Sequence, residues 1–202
     1  MKINTARLRA MIGWLGMLLP WIVVLLTWGF PPSISATWYT NACTPFMIIL
    51  GSASFLLISY KGYERIDDVI LTCSGIAGLM ICLFPCKNPW EDMEKVGTFM
   101  VDMNVSHIVH SVSAIIFFGL LAYWIVNTIR YKLKQKGYTS HWTEIVRVMK
   151  TQKAVTTEAT NALGEKVHLR MCSEPNKAAE NIYELLNYRK MPFRRIRIEK
   201  SL

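Results

Sequence analysis

The sequence predicts an α-helical membrane protein of four transmembrane helices, followed by a small C-terminal cytoplasmic α+β segment. Three observations predict it. Four long apolar runs crowd into the first 126 residues, at 11–30, 42–60, 69–86 and 108–126. Each approaches the roughly 20 residues that cross about 30 Å of hydrocarbon as a helix, and a small soluble domain does not ordinarily hold four of them. The chain then turns basic and polar at Arg130 and stays so to Leu202. Residues 130–202 carry 16 basic and seven acidic side chains, a net charge equal to the +9 of the whole chain. The overall hydrophobic content of 52% therefore averages a membrane-like half with a polar one.

The third observation is where the lysines and arginines fall. Lys2, Arg7 and Arg9 precede the first run, and Lys61 and Arg65 lie between the second and third. The first connection is uncharged, and the third, with Lys87, Glu91, Asp92, Glu94, Lys95 and Asp102, nets −2. Arg130, Lys132, Lys134 and Lys136 follow the fourth run. Every segment fits the positive-inside rule, which puts both termini in the cytoplasm and predicts a multi-pass protein of the bacterial inner membrane. The domains expected are 1–129, the four-span unit, and 130–202, the basic tail.

The first run is read as an uncleaved helix: it is too long for an ordinary signal-peptide core, and no A-x-A site follows before Pro31 and Pro32. Pro20 bends it, which membrane helices tolerate when neighbours satisfy the freed carbonyl. Trp14, Trp21, Trp28, Trp38 and Tyr39 are placed as interfacial anchors. Small residues recur on the second and third runs, at Gly51, Ser52, Ala53 and Ser54, then Ser74, Gly75, Ala77 and Gly78. They let backbones approach closely, so these two spans form the centre of a four-helix bundle, or a face for a homo-oligomer.

The polar cluster most suggestive of chemistry is Asp102, Ser106, His107, His110, Ser111 and Ser113, at the outer end of the fourth run. His107 and His110 share a helical face and, with Asp102, make a candidate zinc set that still lacks ligands for a complete site. The simpler reading makes them hydrogen-bonding groups of an outer vestibule. Asp67 and Asp68 open the third run, where carboxylates cap free amides and complement the helix dipole. Of the five cysteines, Cys43, Cys82 and Cys86 lie near the outer side, Cys73 within the third span and Cys172 in the tail; Cys43 and Cys86 are a candidate disulfide in an oxidising compartment. No C-x-x-C, G-x-x-x-x-G-K-[ST], G-x-S-x-G or H-E-x-x-H motif occurs, and no cofactor is predicted beyond the zinc alternative.

In order, the strings SISATWYT, ISYKGYERIDD, LFPC and HIVHSVSAIIFFGLLAY give residues 12–124 a resemblance to uncharacterised bacterial multi-pass membrane proteins. A more distant similarity runs to membrane hydrolases of the ceramidase and adiponectin-receptor type, which use Ser, Asp and several His around zinc. This chain departs from them in having four spans rather than seven and two membrane-side histidines.

The tail reads differently. Residues 142–150 have helical spacing, 153–160 and 166–171 read as strands about a turn at 161–164, and 176–186 is helical after Pro175. The strings HWTEIVRVMKTQKAVTT and CSEPNKAAENIYELLNY make 134–193 resemble the C-terminal end of DDE-type insertion-sequence transposases, without their catalytic core. Arg189, Lys190, Arg194, Arg195, Arg197 and Lys200 form the densest basic cluster, with Tyr188 and Phe193 interleaved. A solvated face beside a lipid bilayer accounts for such charge, and nucleic acid is the alternative partner. The expectation from these readings is a hybrid reading frame: a membrane protein without assigned catalysis, joined to a transposase-derived tail. A metal-dependent membrane hydrolase and a membrane-tethered nucleic-acid or nucleotide-binding protein are the alternatives.

Overall fold

A computed structural model describes residues 5–160, 166–190, 192 and 196–200, with the backbone alone at 5–6 and 196–200. The chain is mostly helical with a small C-terminal sheet. Helix α1 spans Thr5–Leu26, a 3₁₀ turn follows at Ser35–Tyr39, and α2 and α3 span Cys43–Ser59 and Arg65–Leu83. Strands β1 (Lys95–Val96) and β2 (Val101–Asp102) pair antiparallel, and α4 runs from Met103 to Gln135. After it come α5 (Trp142–Met149), β3 (Ala154–Thr160), β4 (Lys166–Cys172), α6 (Lys177–Leu185) and β5 (Ile196–Lys200).

Among the described residues three helices are long and apolar enough to cross a membrane, over Arg7–Leu26, Arg65–Leu83 and Met103–Gln135, while α2 is a shorter apolar helix of 17 residues. The outward faces are apolar, the reverse of a helix at the surface of a soluble protein. Trp21, Leu25, Phe55, Val69, Ile115 and Phe118 are all exposed by more than 60%. Chain contacts divide the protein into two units, Met1–Ile125 and Val126–Leu202, and α4 supplies residues to both.

In the first unit the core gathers Phe46, Leu50 and Leu57 of α2, Leu71, Ala77 and Ile81 of α3, and Phe117 of α4. The small residues are what let these helices meet. A Cβ on Gly75 would lie 2.6 Å from the Ser54 carbonyl oxygen, and one on Gly78 would lie 2.2 Å from Ser54 Oγ and 2.9 Å from the Phe117 ring. Ser54 turns its hydroxyl back onto the Leu50 carbonyl at 2.8 Å, and Ser74 donates to the Phe117 carbonyl at 3.3 Å, so both buried hydroxyls are satisfied. Gly51 is not part of this contact, since a Cβ there meets nothing within 4 Å.

Asp67 and Asp68 serve the start of α3. Asp67 Oδ2 accepts from the amides of Tyr63 (3.1 Å) and Glu64 (3.2 Å), and Asp68 Oδ1 accepts from Gly62 (2.7 Å). At that same end the Arg9 guanidinium hydrogen-bonds the Tyr63 hydroxyl, and Tyr60 stacks edge-on against Trp124 of α4 at 5.5 Å.

The second unit has its own core, Leu133, Ile145 and Ile182, flanked by Tyr138, Trp142 and Leu186. Helix α4 stops at Gly137, whose φ of +82° permits the amides of Gly137 and Tyr138 to bond back to Lys134 and Leu133, each at 3.0 Å. Asn187 (φ +63°) ends α6 the same way, and the Asn176 side chain caps its start by accepting from Ala179 N at 2.8 Å. The antiparallel sheet has the order β3-β4-β5, with Ala154 opposite Cys172 and Arg170 opposite Arg197. The sequence reading anticipated β3, β4 and both short helices to within a residue or two. It did not anticipate β5, the β1–β2 hairpin, or the continuation of α4 beyond Arg130. The predicted turn at 161–164 lies outside the described residues.

Replacing Gly75 by Ala forces a methyl group onto a backbone carbonyl that cannot yield. The expected cost is about 1–3 kcal/mol, the range for overpacking a close-packed site. Gly51→Ala should change stability by less than about 0.5 kcal/mol, as for a substitution that touches nothing. Thermal or denaturant unfolding of both variants in one detergent checks the difference.

Candidate functional site

The residues singled out for chemistry gather around the backbone that leaves α3. Pro85 has no amide hydrogen and stops the helix, so the carbonyls of its last turn and of the next residues have no helical partner. Side chains take over that work. Trp38 Nε1 donates to Cys82 O at 3.3 Å, Ser106 Oγ to Pro85 O at 2.8 Å, and Tyr39 OH to Cys86 O at 2.6 Å. His110, only 5% exposed, bonds Phe84 O at 2.8 Å through Nδ1 and Ser35 Oγ at 2.9 Å through Nε2. A carbonyl can only accept, so Nδ1 carries the proton; in a neutral ring Nε2 then accepts the Ser35 hydroxyl hydrogen.

The three candidate metal ligands have separate employments. Asp102 Oδ1 accepts from the amides of Asn104 (2.8 Å) and Val105 (3.3 Å), capping α4. His107, on the exposed side, accepts the Lys87 amide at Nδ1 over 3.2 Å. Ser106 and His110, four residues apart on one face of α4, are buried and grip the segment after α3. Among the described residues, no three His, Cys, Asp or Glu side chains come together as a metal-binding group. Burial, with Cys86 alongside, pushes the Tyr39 phenol up to about 12, so its hydroxyl keeps donating well into the alkaline range. Cys43 and Cys86 are both free thiols.

The sequence reading placed Ser106, His107 and His110 in one cluster but took Trp38 and Tyr39 only as interfacial anchors and passed over Ser35. One signal was available for Trp38 and Tyr39. A proline just after an apolar helix leaves carbonyls unpaired, and the donors nearest in topology are those of the connection on the same side.

In the second unit the basic cluster is partly accounted for. Lys190 lies 3.8 Å from Glu184, Arg189 is exposed, and Arg194 and Arg195 lie outside the described residues, as does the side chain of Arg197. Glu144 is held by Arg147 through two hydrogen bonds of 2.9 and 2.6 Å, which keep its carboxyl below the usual range. The edge strand β3 is exposed along its whole length. No protein-family model, curated protein or solved structure matches this chain.

His110→Ala should destabilise the first unit by about 1–3 kcal/mol, the penalty for leaving a buried polar partner unsatisfied. His107→Ala, on the exposed side, should cost less than about 0.5 kcal/mol. Unfolding measured with zinc and again with a chelator should give the same midpoint for the unsubstituted protein if the cluster is a backbone clasp. A zinc-dependent rise that disappears in His110→Ala would identify a metal site instead.

Proposed function

We propose that this chain is a four-span integral membrane protein that anchors a small basic α+β module at the cytoplasmic face, and that its outer His/Ser cluster holds the fold rather than performing catalysis. Support for the fourth span comes from α2, which at 17 residues reaches about 26 Å and lies at the lower limit for crossing. Support for the topology comes from the charges. The hydrogen bond from Arg9 to Tyr63 joins the start of α1 to the connection between α2 and α3. Lys61 and Arg65 belong to that same connection, so the two basic segments share one side of the bundle.

The observation that carries the non-catalytic reading is the double engagement of His110. A metal ligand needs a free lone pair on the ring, and the one on Nε2 is taken by Ser35 while Nδ1 donates to the Phe84 carbonyl, so the ring ties segments of the chain together. The tail's own core and its resemblance to a transposase end support its origin as a graft onto a bacterial inner-membrane protein. Its charge suits a position beside anionic headgroups, each Lys or Arg near such a surface contributing about 1 kcal/mol.

Single cysteines in a cysteine-free background test the topology in intact cells. Glu91→Cys should react with an impermeant maleimide from outside, whereas Lys61→Cys and Ser140→Cys should react only after permeabilisation. Ser33→Cys, on the other side of α2 from Lys61, should react from outside; labelling of Ser33→Cys and Lys61→Cys from the same side would contradict a four-span arrangement.

A further inference from the structure

The first unit contains an apolar cavity of about 400 Å³ walled by α1, α2 and α4. That volume is within the range of roughly 300–1,000 Å³ found for ligand sites. Its back wall follows α2 from Phe46 to Leu57, about 16 Å of helix, so it is a slot rather than a sphere. The lining is apolar apart from Ser35, whose hydroxyl bonds His110.

The gap is not a by-product of close helix contact. Gly75 and Gly78 are small because a neighbour occupies the space of their Cβ, whereas a Cβ on Gly16 in the α1 wall meets nothing within 4 Å. The missing side chain leaves room that no protein atom uses. Gly16 is exposed as well as lining the slot, and so is Phe118 on the α4 wall. The mouth therefore opens sideways onto the apolar face that hydrocarbon covers in the four-span reading, on which this inference rests. A void of this size left unfilled forfeits the dispersion contacts of its whole lining.

We infer that the slot between α1, α2 and α4 is a lipid-binding site that takes one acyl chain of a bilayer phospholipid. The chain enters laterally between α1 and α4 and lies along α2, with Ser35 nearest the lipid's polar portion. An extended alkyl chain matches both the length of the slot and its lack of polar groups. A compact polar ligand would leave its own hydrogen-bonding groups unpaired there.

The test uses the full-length protein in vesicles of phosphatidylcholine and phosphatidylglycerol doped with a phospholipid carrying a diazirine midway along one chain. After irradiation, adducts are mapped by mass spectrometry. Adducts are expected at Leu50 and Ala53, which line the slot and are each only 7% exposed, as well as at the outward-facing Ile48, Phe55 and Ile115. Gly16→Leu fills the slot and should cut the Leu50 and Ala53 adducts about tenfold while leaving the outward ones unchanged. Gly119→Leu, equally free of neighbours within 4 Å but away from the slot, should alter neither set. Ala114→Leu plugs the slot from the α4 side and serves if Gly16→Leu loses its helical circular-dichroism signal. Outward adducts without lining adducts, or lining adducts that survive both plugging variants, would overturn the lipid site and leave the membrane reading standing. Absence of adducts on either face would overturn both.

Discussion

Backbone carbonyls that lose their helical partners must find hydrogen-bond donors elsewhere in the protein when they are buried, and the first unit is organised around that requirement. Pro85 ends α3, and the carbonyls of Cys82, Phe84, Pro85 and Cys86 are then met one by one by Trp38, His110, Ser106 and Tyr39. Water would satisfy those carbonyls at little cost in a soluble protein; beside a bilayer core each unpaired group costs several kcal/mol. The polar residues of the last span are thus tied to the connection before it and, through Ser35 and Tyr39, to the connection between α1 and α2.

That arrangement depends on α4 being seated correctly, and the small residues of α3 do this. Gly78 admits the Phe117 ring, and Ser74 bonds the Phe117 carbonyl, fixing α4 against α3 below the point where Ser106 and His110 reach across. Ser54 occupies the space that larger residues at positions 75 and 78 would take. Apolar packing selects the approach, and hydrogen bonds at the Pro85 end and around Asp67 at the other fix the register. Between α1, α2 and α4 the packing leaves a slot rather than a seam, with Gly16 and Ala114 in its walls and nothing within 4 Å of a Cβ on Gly16.

Much of the helical layout was legible in the sequence, because hydrocarbon demands long apolar runs. Helix ends were less so. Hydropathy falls at Arg130, yet α4 continues to Gln135, since Lys and Arg are good helix formers and only Gly137 provides a stop. The Ser/His cluster was visible as polar residues in an apolar run, but its partners are backbone carbonyls, which every residue has and no composition reveals. Strand β5 was missed although Arg195, Ile196, Arg197 and Ile198 alternate, because the basic cluster drew the reading toward surface charge. Asp102, His107 and His110 are singled out by residue type and spacing alone, whereas the amides that Asp102 accepts from and the carbonyl that His110 bonds are visible only in the structure.

The protein that emerges has an apolar helical unit in which Trp38, Tyr39, Ser106 and His110 hold the backbone after α3, and a basic module with a separate core. The link between Ser35, His110 and Phe84 is the centre of that account, since it ties three segments of chain through one ring. A double-mutant cycle on Ser35→Ala and His110→Ala, read by unfolding in one detergent, tests it directly. The account predicts strong coupling, with Ser35→Ala costing about 1 kcal/mol or more alone and almost nothing once His110 is gone. Simple additivity of the two substitutions would contradict it.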